Sequence, residues 1–465
     1  MPFLGTTGGG SVKQYGGQAN LGYFIKNSLR FRASASGNLS RTFGTPTNGI
    51  KYTWSGWVKR GALSTEQGVF CQYTSNTDSI ELKFLSTDEL KVYVAIPGAI
   101  DYSRQTTAKF RDPSAWYHIV FVFDSANATS DDRIIFYING TRVTAFTDPD
   151  GTIPQNNVSA INTSGRVHYL GYRGTSTNYL DGYLGEINFI DGQALTPSSF
   201  GKTDAATNQW IPKKFAGTYG TNGFYLKFAD ASAATAAAIG KDSSGNGNNW
   251  TPNNISVTAG VTYDSMTDSP TVGPLSSNFA TWNPLRKDNN ASISLANGNL
   301  AASGTTFPSG AFLSTIAAQT SGLFYAEFTL VGAQWPTVAV ADVTVPNICP
   351  SGSMSVSGVV AWDNSNYFIN GATVASGLTM NSADVIGVAF DAATRKVWFA
   401  QNNTWVSSGN PAAGTNERGT VAGTGALAFA CRAESTVVIH ANFGQRPFAY
   451  TPPSGFKSLN TFNLP

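Results

Sequence analysis

The stretch AWYHIVFVFDSANATSDDRIIFYINGTRV, residues 115–143, decides the fold class. Two short runs rich in β-branched and aromatic residues, IVFVF and RIIFYI, flank a polar loop, and neither has the apolar spacing of a helix. Because IVFVF is apolar at consecutive positions, it predicts a central strand covered on both faces. Asn139-Gly140 then joins RIIFYI to another strand, since this dipeptide adopts the positive φ angles of a two-residue type I′ turn.

The same order of features recurs in the second half of the chain. IGVAFDAATRKVWFA, residues 386–400, repeats a strand that ends in Phe-Asp, a polar loop and a second strand, and NYFINGATV repeats the hairpin at Asn370-Gly371. ELKVYVAI, residues 89–96, alternates as a half-exposed strand does. The sequence therefore predicts an all-β chain with two jelly-roll-like β-sandwiches in tandem.

Composition and charge exclude several classes of function. Charged residues make up 12% of the 465 residues, about half the roughly 25% of an average soluble domain. The formal net charge is +2 and the Lys and Arg residues are scattered, which argues against a nucleic-acid groove. No window approaches the ~18 apolar residues of a membrane helix, and the N-terminus does not read as a secretory signal. We expect neither nucleic-acid binding nor membrane insertion.

Three segments are predicted. Residues 1–24 are Gly-rich without periodicity, which indicates a terminal segment that a partner would order, with a frayed end as the alternative. Residues 25–270 form the first sandwich. Residues 230–274, which are poor in large apolar groups, are expected to drape across it and then link it to the second sandwich. Residues 271–465 form the second sandwich and a C-terminal tail.

The order of blocks in the first half resembles a known family. Between Ser28 and about Asp268 the sequence is similar to the laminin-G-like, concanavalin A-like sandwich of many tailed-bacteriophage virion proteins. The blocks that carry this resemblance are SLRFRASASGNLSRTF, YTWSGWVKRG, AWYHIVFVFD, RIIFYINGTRV, LDGYLGEINFIDGQALTPSSFG, TYGTNGFYLKFAD and KDSSGNGNNWTPNNISVTAG.

The second half resembles the SPRY domain, another two-sheet sandwich, from about Phe324 to Phe443. The blocks are GLFYAEFTLVG, SADVIGVAFDAATRKVWFAQNNTWV and VVIHANFGQRPFAYTPPSGFKSLN, the last of which is similar to the ends of phage tail-associated proteins.

Together the resemblances imply a non-enzymatic bacteriophage virion protein, a tail fibre that binds a host-surface glycan or protein. They also imply attachment to other virion proteins through the N-terminal segment, a homo-oligomer with a trimer favoured, and a place on the phage tail or particle surface. A capsid-decorating fibre or tail connector is the alternative, and a glycan depolymerase is a third. No cofactor and no metal are predicted.

The stretch DGYLGEINFIDGQALTPS, residues 181–198, is the main catalytic candidate. Retaining glycosidases need two carboxyl groups about 5–5.5 Å apart, and sandwich enzymes resembling laminarinases use a Glu-x-Asp-x-x-Glu strand with a bulge. Here Asn188 replaces the central Asp, and Asp191 replaces the last Glu. Without a bulge, Glu186 and Asp191 would lie on opposite faces, about 16 Å apart. We therefore predict a structural strand with Ile187 and Phe189 in the core, and a capped helical turn at Thr196-Pro197.

The remaining chemistry is sparse. Cys71, Cys349 and Cys431 are predicted as buried free thiols, with a Cys349–Cys431 bridge as the alternative. His118 and His168, like His440, are predicted as strand histidines rather than metal ligands.

Two polar loops could hold a ligand. DSSGNGNN, residues 242–249, is predicted as a hydrogen-bonded turn, with a calcium loop built on Asp242, Ser243 and Asn246 as the alternative. GYRGTSTNYLDG, residues 171–182, brings aromatic and hydrogen-bonding side chains together, which is the chemistry of a sugar site, although half-buried loop packing is the favoured interpretation of them. The candidate receptor-binding residues are Tyr172, Arg173, Asn178 and Tyr179.

Overall fold

The computed structural model describes residues 23–96, 101–175, 177–287, 293–305, 310–332, 335–434 and 436–465. The predicted anchor segment lies outside these residues, apart from its last two. The chain folds into two compact units. The last residue of the first unit is Thr271, and Val272–Pro465 belong to the second. Each unit contains two large antiparallel sheets, so the tandem all-β fold predicted from the sequence is confirmed.

The first unit is built from two eight-stranded sheets and one small ribbon. Sheet I has, in spatial order, β10 (Thr141–Arg142), β9 (Ile134–Ile138), β8 (Trp116–Asp124), β3 (Lys51–Arg60), β13 (Gly182–Asp191), β1 (Ser28–Phe31) and β18 (Ser265–Met266), with β16 (Phe224–Leu226) also paired to β13. Sheet II has β11 (Phe146–Asp150), β7 (Tyr102–Lys109), β6 (Glu89–Ala95), β5 (Asp78–Phe84), β4 (Gln67–Ser75), β12 (Val167–Leu170), β2 (Asn38–Thr42) and β17 (Thr251–Asn253). The ribbon pairs β14 (Gly201–Thr203) with β15 (Trp210–Pro212).

The core of the first unit lies between sheets I and II. Trp54 and Phe121 from sheet I and Phe70 and Leu82 from sheet II belong to one buried cluster. The outer face of sheet I is also covered, because Val120 and its neighbours pack against residues 195–219. The consecutive apolar residues of β8 are thus buried on both faces, as IVFVF predicts.

The segment expected to drape as a linker contributes more than predicted. It adds β17 to the edge of sheet II and β18 to the edge of sheet I. Trp250 and Ile239 from it are fully buried in the core. The sequence-based interpretation undervalued these two residues because they are isolated among small and polar neighbours.

The second unit contains sheets III and IV. Phe429 of sheet III contacts Phe328 and Phe390 of sheet IV, with ring centroids 6.0 and 5.0 Å away, and so marks the core between the sheets. Sheet III has β19 (Trp282–Lys287), β22 (Ala311–Ser314), β32 (Leu427–Arg432), β24 (Thr337–Asp342), β25 (Val359–Trp362), β26 (Asn366–Ile369) and β27 (Ala372–Ala375). Sheet IV has β20 (Ile293–Ala296), β21 (Ala301–Gly304), β33 (Val438–Asn442), β23 (Leu323–Val331), β28 (Val385–Asp391), β29 (Lys396–Gln401) and β30 (Thr404–Trp405), with β31 (Gly419–Thr420) paired to β29.

Both predicted hairpins form. Asn139 and Asn370 have φ angles of 47° and 51°, and each is followed by a glycine with positive φ. The helices of the described residues are single 3-10 turns, and none has the length and apolar character that crossing a bilayer requires. Their bounds are Ala33–Ala35, Ser130–Asp132, Pro197–Ser199, Pro350–Gly352, Val406–Ser408 and Pro411–Ala413.

Two smaller predictions have different outcomes. The three cysteines are free and buried, which confirms the predicted thiols over the Cys349–Cys431 bridge. The turn after Thr196 forms, but the predicted capping bond is wrong. The Thr196 hydroxyl instead pairs with the Ser198 hydroxyl at 2.8 Å, and so does not reach the backbone of the turn.

Candidate functional site

The outward face of sheet II carries a row of chemically mixed side chains. Cys71, Glu81 and Tyr93 lie opposite one another on β4, β5 and β6. They point away from the core because the alternating residues Leu82 and Val92 are buried in it. A carboxylate and an aromatic ring are therefore neighbours on this surface.

Four charged side chains form an alternating cluster beside this row. Glu81 is fully buried, and its Oε2 lies 2.8 Å from Lys83 Nζ and 2.7 Å from Arg173 Nε. Glu66 Oε1 lies 3.2 Å from both Lys83 Nζ and Arg173 Nη1. Burial acts to lower the pKa of Arg173, but the hydrogen bond and the charge of Glu81 raise it overall. The cluster therefore holds its charges in fixed positions.

Glu66, Lys83 and Arg173 of this cluster line an open depression of about 370 Å³. Tyr93 stands in it, and burial together with a hydrogen bond to Asp101 raises the pKa of Tyr93 to about 12. An amphipathic ring beside fixed donors and acceptors can pack against the C–H face of a sugar while the polar groups bind its hydroxyls. The depression is lined by Glu66, Asn76, Lys83, Leu85, Lys91, Tyr93 and Arg173.

The four residues predicted from the sequence divide into two pairs. Arg173 lines the depression, and Asn178 Nδ2 donates to Glu66 Oε1 at 2.8 Å and so supports its wall. Tyr172 and Tyr179 instead stack on each other, with ring centroids 4.2 Å apart, and both are half-buried. Binding of a receptor by these residues stays a prediction, and the geometry favours Arg173 over the two tyrosines.

The loop that carries Arg173 lies directly on sheet II because of a glycine. A Cβ on Gly68 would come within 2.5 Å of the Arg173 backbone nitrogen. Gly68 donates its N–H to the Asn178 carbonyl at 3.2 Å, and Arg173 donates to the same carbonyl at 3.2 Å. The close approach brings the guanidinium to Glu81.

Sequence reasoning missed the strand residues of the depression. Glu81 and Lys83 alternate with core residues in IELKF, and Lys91 and Tyr93 do so in ELKVYVA. This alternation was available as a signal for a shared outward face. The sequence did not reveal the order of strands in sheet II, which places Glu81 beside Tyr93 and Lys83 beside Lys91.

Glu186 occupies a β-bulge, so the unbulged geometry considered for this strand is wrong. Glu186 and Ile187 together oppose Gly56, because pairing shifts between Gly185 and Asn188. Glu186 has a φ of 54°, which is unusual for a residue with a side chain. The bulge directs its carboxyl group to the outer side of sheet I, while Ile187 remains in the core as predicted.

The Glu186 carboxyl group is enclosed by tyrosines. Tyr225 donates its hydroxyl at 2.7 and 2.8 Å from the two oxygens, and Tyr23 donates to the same carboxyl group. Burial raises the pKa of Glu186 to about 7, although the tyrosine hydrogen bonds and the charges of Lys227 and Lys214 act in the opposite direction. This pKa would suit a general acid, but an acid requires a partner carboxylate across the substrate.

Asp191 does not supply that partner. It pairs with the core residue Tyr52 and shares the inward face with Phe189, opposite to Glu186. Its Oδ2 accepts from the backbone N–H groups of Thr47 at 2.7 Å and Asn222 at 3.0 Å. Asp191 thus anchors loops, in keeping with the structural strand predicted from the sequence.

Ser55 and His118 are in contact, but the direction of their hydrogen bond does not suit catalysis. Ser55 Oγ lies 2.9 Å from His118 Nε2, and Trp210 Nε1 donates to His118 Nδ1 at 2.9 Å. Because Nδ1 accepts, the neutral ring carries its proton on Nε2 and donates it to Ser55. Burial lowers the pKa of His118 to about 3, so the ring stays neutral. A base for Ser55 would need the opposite tautomer.

The Asp242 loop forms the hydrogen-bonded turn predicted for it. Asp242 Oδ1 accepts from the N–H groups of Tyr225 and Ser244, and Oδ2 accepts from the Ser244 hydroxyl and the Asn248 N–H, all at 2.8 Å. Asn246 Nδ2 donates to the Gly220 carbonyl at 2.7 Å. Within the described part of the chain, no group of three His, Cys, Asp or Glu side chains is placed to hold a metal ion.

Part of the first unit matches a family model. Residues 33–200 match the family model of the concanavalin A-like lectin/glucanases superfamily, which covers less than half of the chain. The first sandwich therefore has a concanavalin A-like, lectin-type fold. No curated protein sequence matches the chain.

Three of the solved structures that are similar to parts of the chain are the following. A putative carbohydrate-binding protein from Bacteroides ovatus is 15% identical with a TM-score of 0.33, over 50% of this chain and 59% of its own. A heptameric SAP-like pentraxin from Limulus polyphemus is 16% identical with a TM-score of 0.27, over 37% and 80%. The SPRY domain of human HERC1 is 14% identical with a TM-score of 0.27, over 36% and 99%. These similarities are distant, and no function is taken from them.

Proposed function

We propose that this chain is a tail fibre of a bacteriophage and that the depression on sheet II binds a glycan of the host surface. The resemblance of the two halves to laminin-G-like and SPRY-like domains of phage virion proteins supports the first part. The match of residues 33–200 to a superfamily that includes lectins supports the second.

One observation carries the glycan proposal. Tyr93 borders an open depression of about 370 Å³ whose other walls include Lys83 and Arg173, and both of these cations pair with the buried Glu81. Fixed donors and acceptors select hydroxyl groups by geometry, because their side chains do not have to be ordered when the ligand arrives. The volume lies within the range of about 300–1,000 Å³ that is usual for small-ligand sites.

The proposed activity is binding without catalysis. Glu186 and Asp191 lie on opposite faces of sheet I, and the Ser55 hydroxyl receives a proton from His118 rather than losing one. Neither pair offers a nucleophile with its base or acid. Purified protein should therefore release no sugar from polysaccharides that it binds.

The proposed place of the chain follows from the same resemblance. Residues 1–24 would attach to other virion proteins, and several copies, with a trimer favoured, would display the sandwiches on the tail or particle surface. Electron micrographs of virions labelled with an antibody against this chain test that place. Label on the capsid would favour the decorating fibre, and absence of label from virions would overturn a virion role.

The binding test uses the full-length protein and an array of bacterial surface polysaccharides. We expect binding to at least one polysaccharide and loss of at least about 80% of it in Tyr93→Ala, since removal of an aromatic contact worth about 1 kcal/mol or more weakens binding about fivefold or more. Tyr450→Ala, in the second unit, is the matched control and should bind as wild type does. No binding at all, or equal binding by both variants, would refute the site and leave a purely structural role.

A further inference from the structure

A second open groove lies in the first unit, mostly among loops that the family match does not include. Its volume is about 590 Å³. Of its lining residues, Thr47 alone belongs to the matched range 33–200. The rim groove, as we call it, is lined by Thr47, Gly217, Thr218, Tyr219, Gly220, Thr221, Ser244 and Asn246.

Two buried carboxylates hold the walls of the rim groove in place. Asp191 accepts the Thr47 N–H at 2.7 Å, and Thr47 Oγ1 in turn accepts the Thr221 N–H at 2.8 Å. Asp242 accepts both the N–H and the hydroxyl of Ser244 at 2.8 Å. Asp191 is the last residue of EINFID, and Asp242 is the first residue of DSSGNGNN. Both carboxylates therefore fix the loops that surround the groove.

Tyr219 gives the rim groove an aromatic wall. Its hydroxyl donates to Asn188 Oδ1 at 2.9 Å, and its ring packs edge-to-face on Phe215 with centroids 5.1 Å apart. Tyr219 is half-buried rather than fully buried. The ring is therefore held in one orientation while part of it remains open to a ligand.

The chemistry of the lining differs from that of the sheet II depression. The described walls of the groove contain hydroxyl, amide, backbone and aromatic groups and no ionisable carboxylate, ammonium or guanidinium group. Thr218 and Thr221 are exposed, and Asn246 uses its Nδ2 group for the Gly220 and Gly223 carbonyls. Its Oδ1 accepts no hydrogen bond from any described residue. An uncharged ligand rich in hydroxyl groups matches such a surface, because no charge has to be desolvated.

We propose that the rim groove is a second saccharide-binding site, which takes an uncharged sugar against the Tyr219 ring. This inference extends the proposed glycan binding of the first unit, but it stands on different residues. All of its lining residues except Thr47 follow the matched segment, so the site would be a property of this chain rather than of the superfamily.

Ligand-observed NMR on the full-length protein tests the site. The probes are the methyl glycosides of glucose, galactose, mannose and N-acetylglucosamine, added singly up to 50 mM. We expect saturation transfer to at least one probe, and at least about tenfold weaker binding in Thr218→Arg, which fills the groove from an exposed position. Thr203→Arg, an exposed threonine of the ribbon, is the matched control and should bind as wild type does.

The outcomes separate this site from the first. Binding lost in Thr218→Arg and kept in Tyr93→Ala supports the rim groove, whatever the polysaccharide array shows. Binding lost in Tyr93→Ala and kept in Thr218→Arg places the sugar on sheet II and overturns the inference. Absence of transfer to all four probes also overturns it. Thermal unfolding of Thr218→Arg at the wild-type temperature shows that the variant is folded.

Discussion

Glu186 and Asp191 leave the same strand on opposite faces, one towards tyrosines outside sheet I and the other towards the loop anchors on its inner side. The bulge between Gly185 and Asn188 changes the path of the strand but does not bring the two carboxyl groups together. A sequence that is close to a glycosidase signature thereby supports two unrelated structural tasks.

The buried Glu186 predicts a distinctive dependence of stability on pH. Its pKa is about 7 in the folded chain, above its ordinary value of 4.5. The folded state therefore holds a proton that the unfolded state has lost, and stability falls by about 1.4 kcal/mol per pH unit between these values. The stabilisation that this proton provides is complete below pH 4.5 and is lost as the pH rises through 7.

Urea unfolding of wild type and Glu186→Gln at pH 5, 6, 7 and 8 measures this effect. Glutamine resembles the protonated carboxyl group, so we expect the variant to gain stability relative to wild type from pH 5 to 7 and to level off above 7. Curves that run parallel across the whole range would contradict the raised pKa.

The buried His118 and His168 should make stability fall as the pH is lowered, which is opposite to the effect of Glu186. Burial lowers the pKa of each to about 3, and His168 also stacks on Phe43 with centroids 3.7 Å apart. The unfolded chain takes up protons below pH 6.5 while these rings stay neutral, so each should cost about 1.4 kcal/mol of stability per pH unit as the pH falls towards 3. NMR signals of both rings should not titrate between pH 8 and 5. A midpoint near 6.5 for either ring would refute the prediction.

The fold was predictable from the sequence to the extent that local patterns decide it. The alternation of ELKVYVAI and the two Asn-Gly hairpins depend on neighbouring residues, and both are confirmed. The bulge at Glu186 and the burial of Trp250 depend on contacts with distant segments, which local spacing does not encode. The sequence identified Arg173 as a site candidate. Its partner Glu81 is 92 residues away in the sequence, so only the structure shows that the two side chains are in contact.

Asp242 provides a test of the calcium alternative. Its two oxygens already accept four hydrogen bonds at 2.8 Å, which leaves little room for coordination of a cation. We expect excess chelator to leave the unfolding temperature unchanged. Asp242→Asn should lower the stability by about 3 kcal/mol, because the amide nitrogen cannot accept two of the bonds. Stabilisation by added calcium that disappears in Asp242→Asn would reverse this interpretation.

The charged side chains of the cluster on sheet II should depend on one another for their contributions to stability. Arg173→Met would leave the fully buried Glu81 with Lys83 as its remaining cation partner among the described residues, and we expect a loss of about 2 kcal/mol in urea unfolding. Adding Glu81→Gln to Arg173→Met should recover part of that loss, since the uncompensated carboxylate is then removed.

A surface ion pair supplies the control for this cycle. The Arg142 guanidinium pairs with the Asp132 carboxylate, and the two side chains are 42% and 32% exposed, so Arg142→Met should change stability by less than about 1 kcal/mol. If Arg173→Met were as mild as Arg142→Met, Glu81 would not depend on the guanidinium. The preorganised wall on which the glycan proposal relies would then be absent.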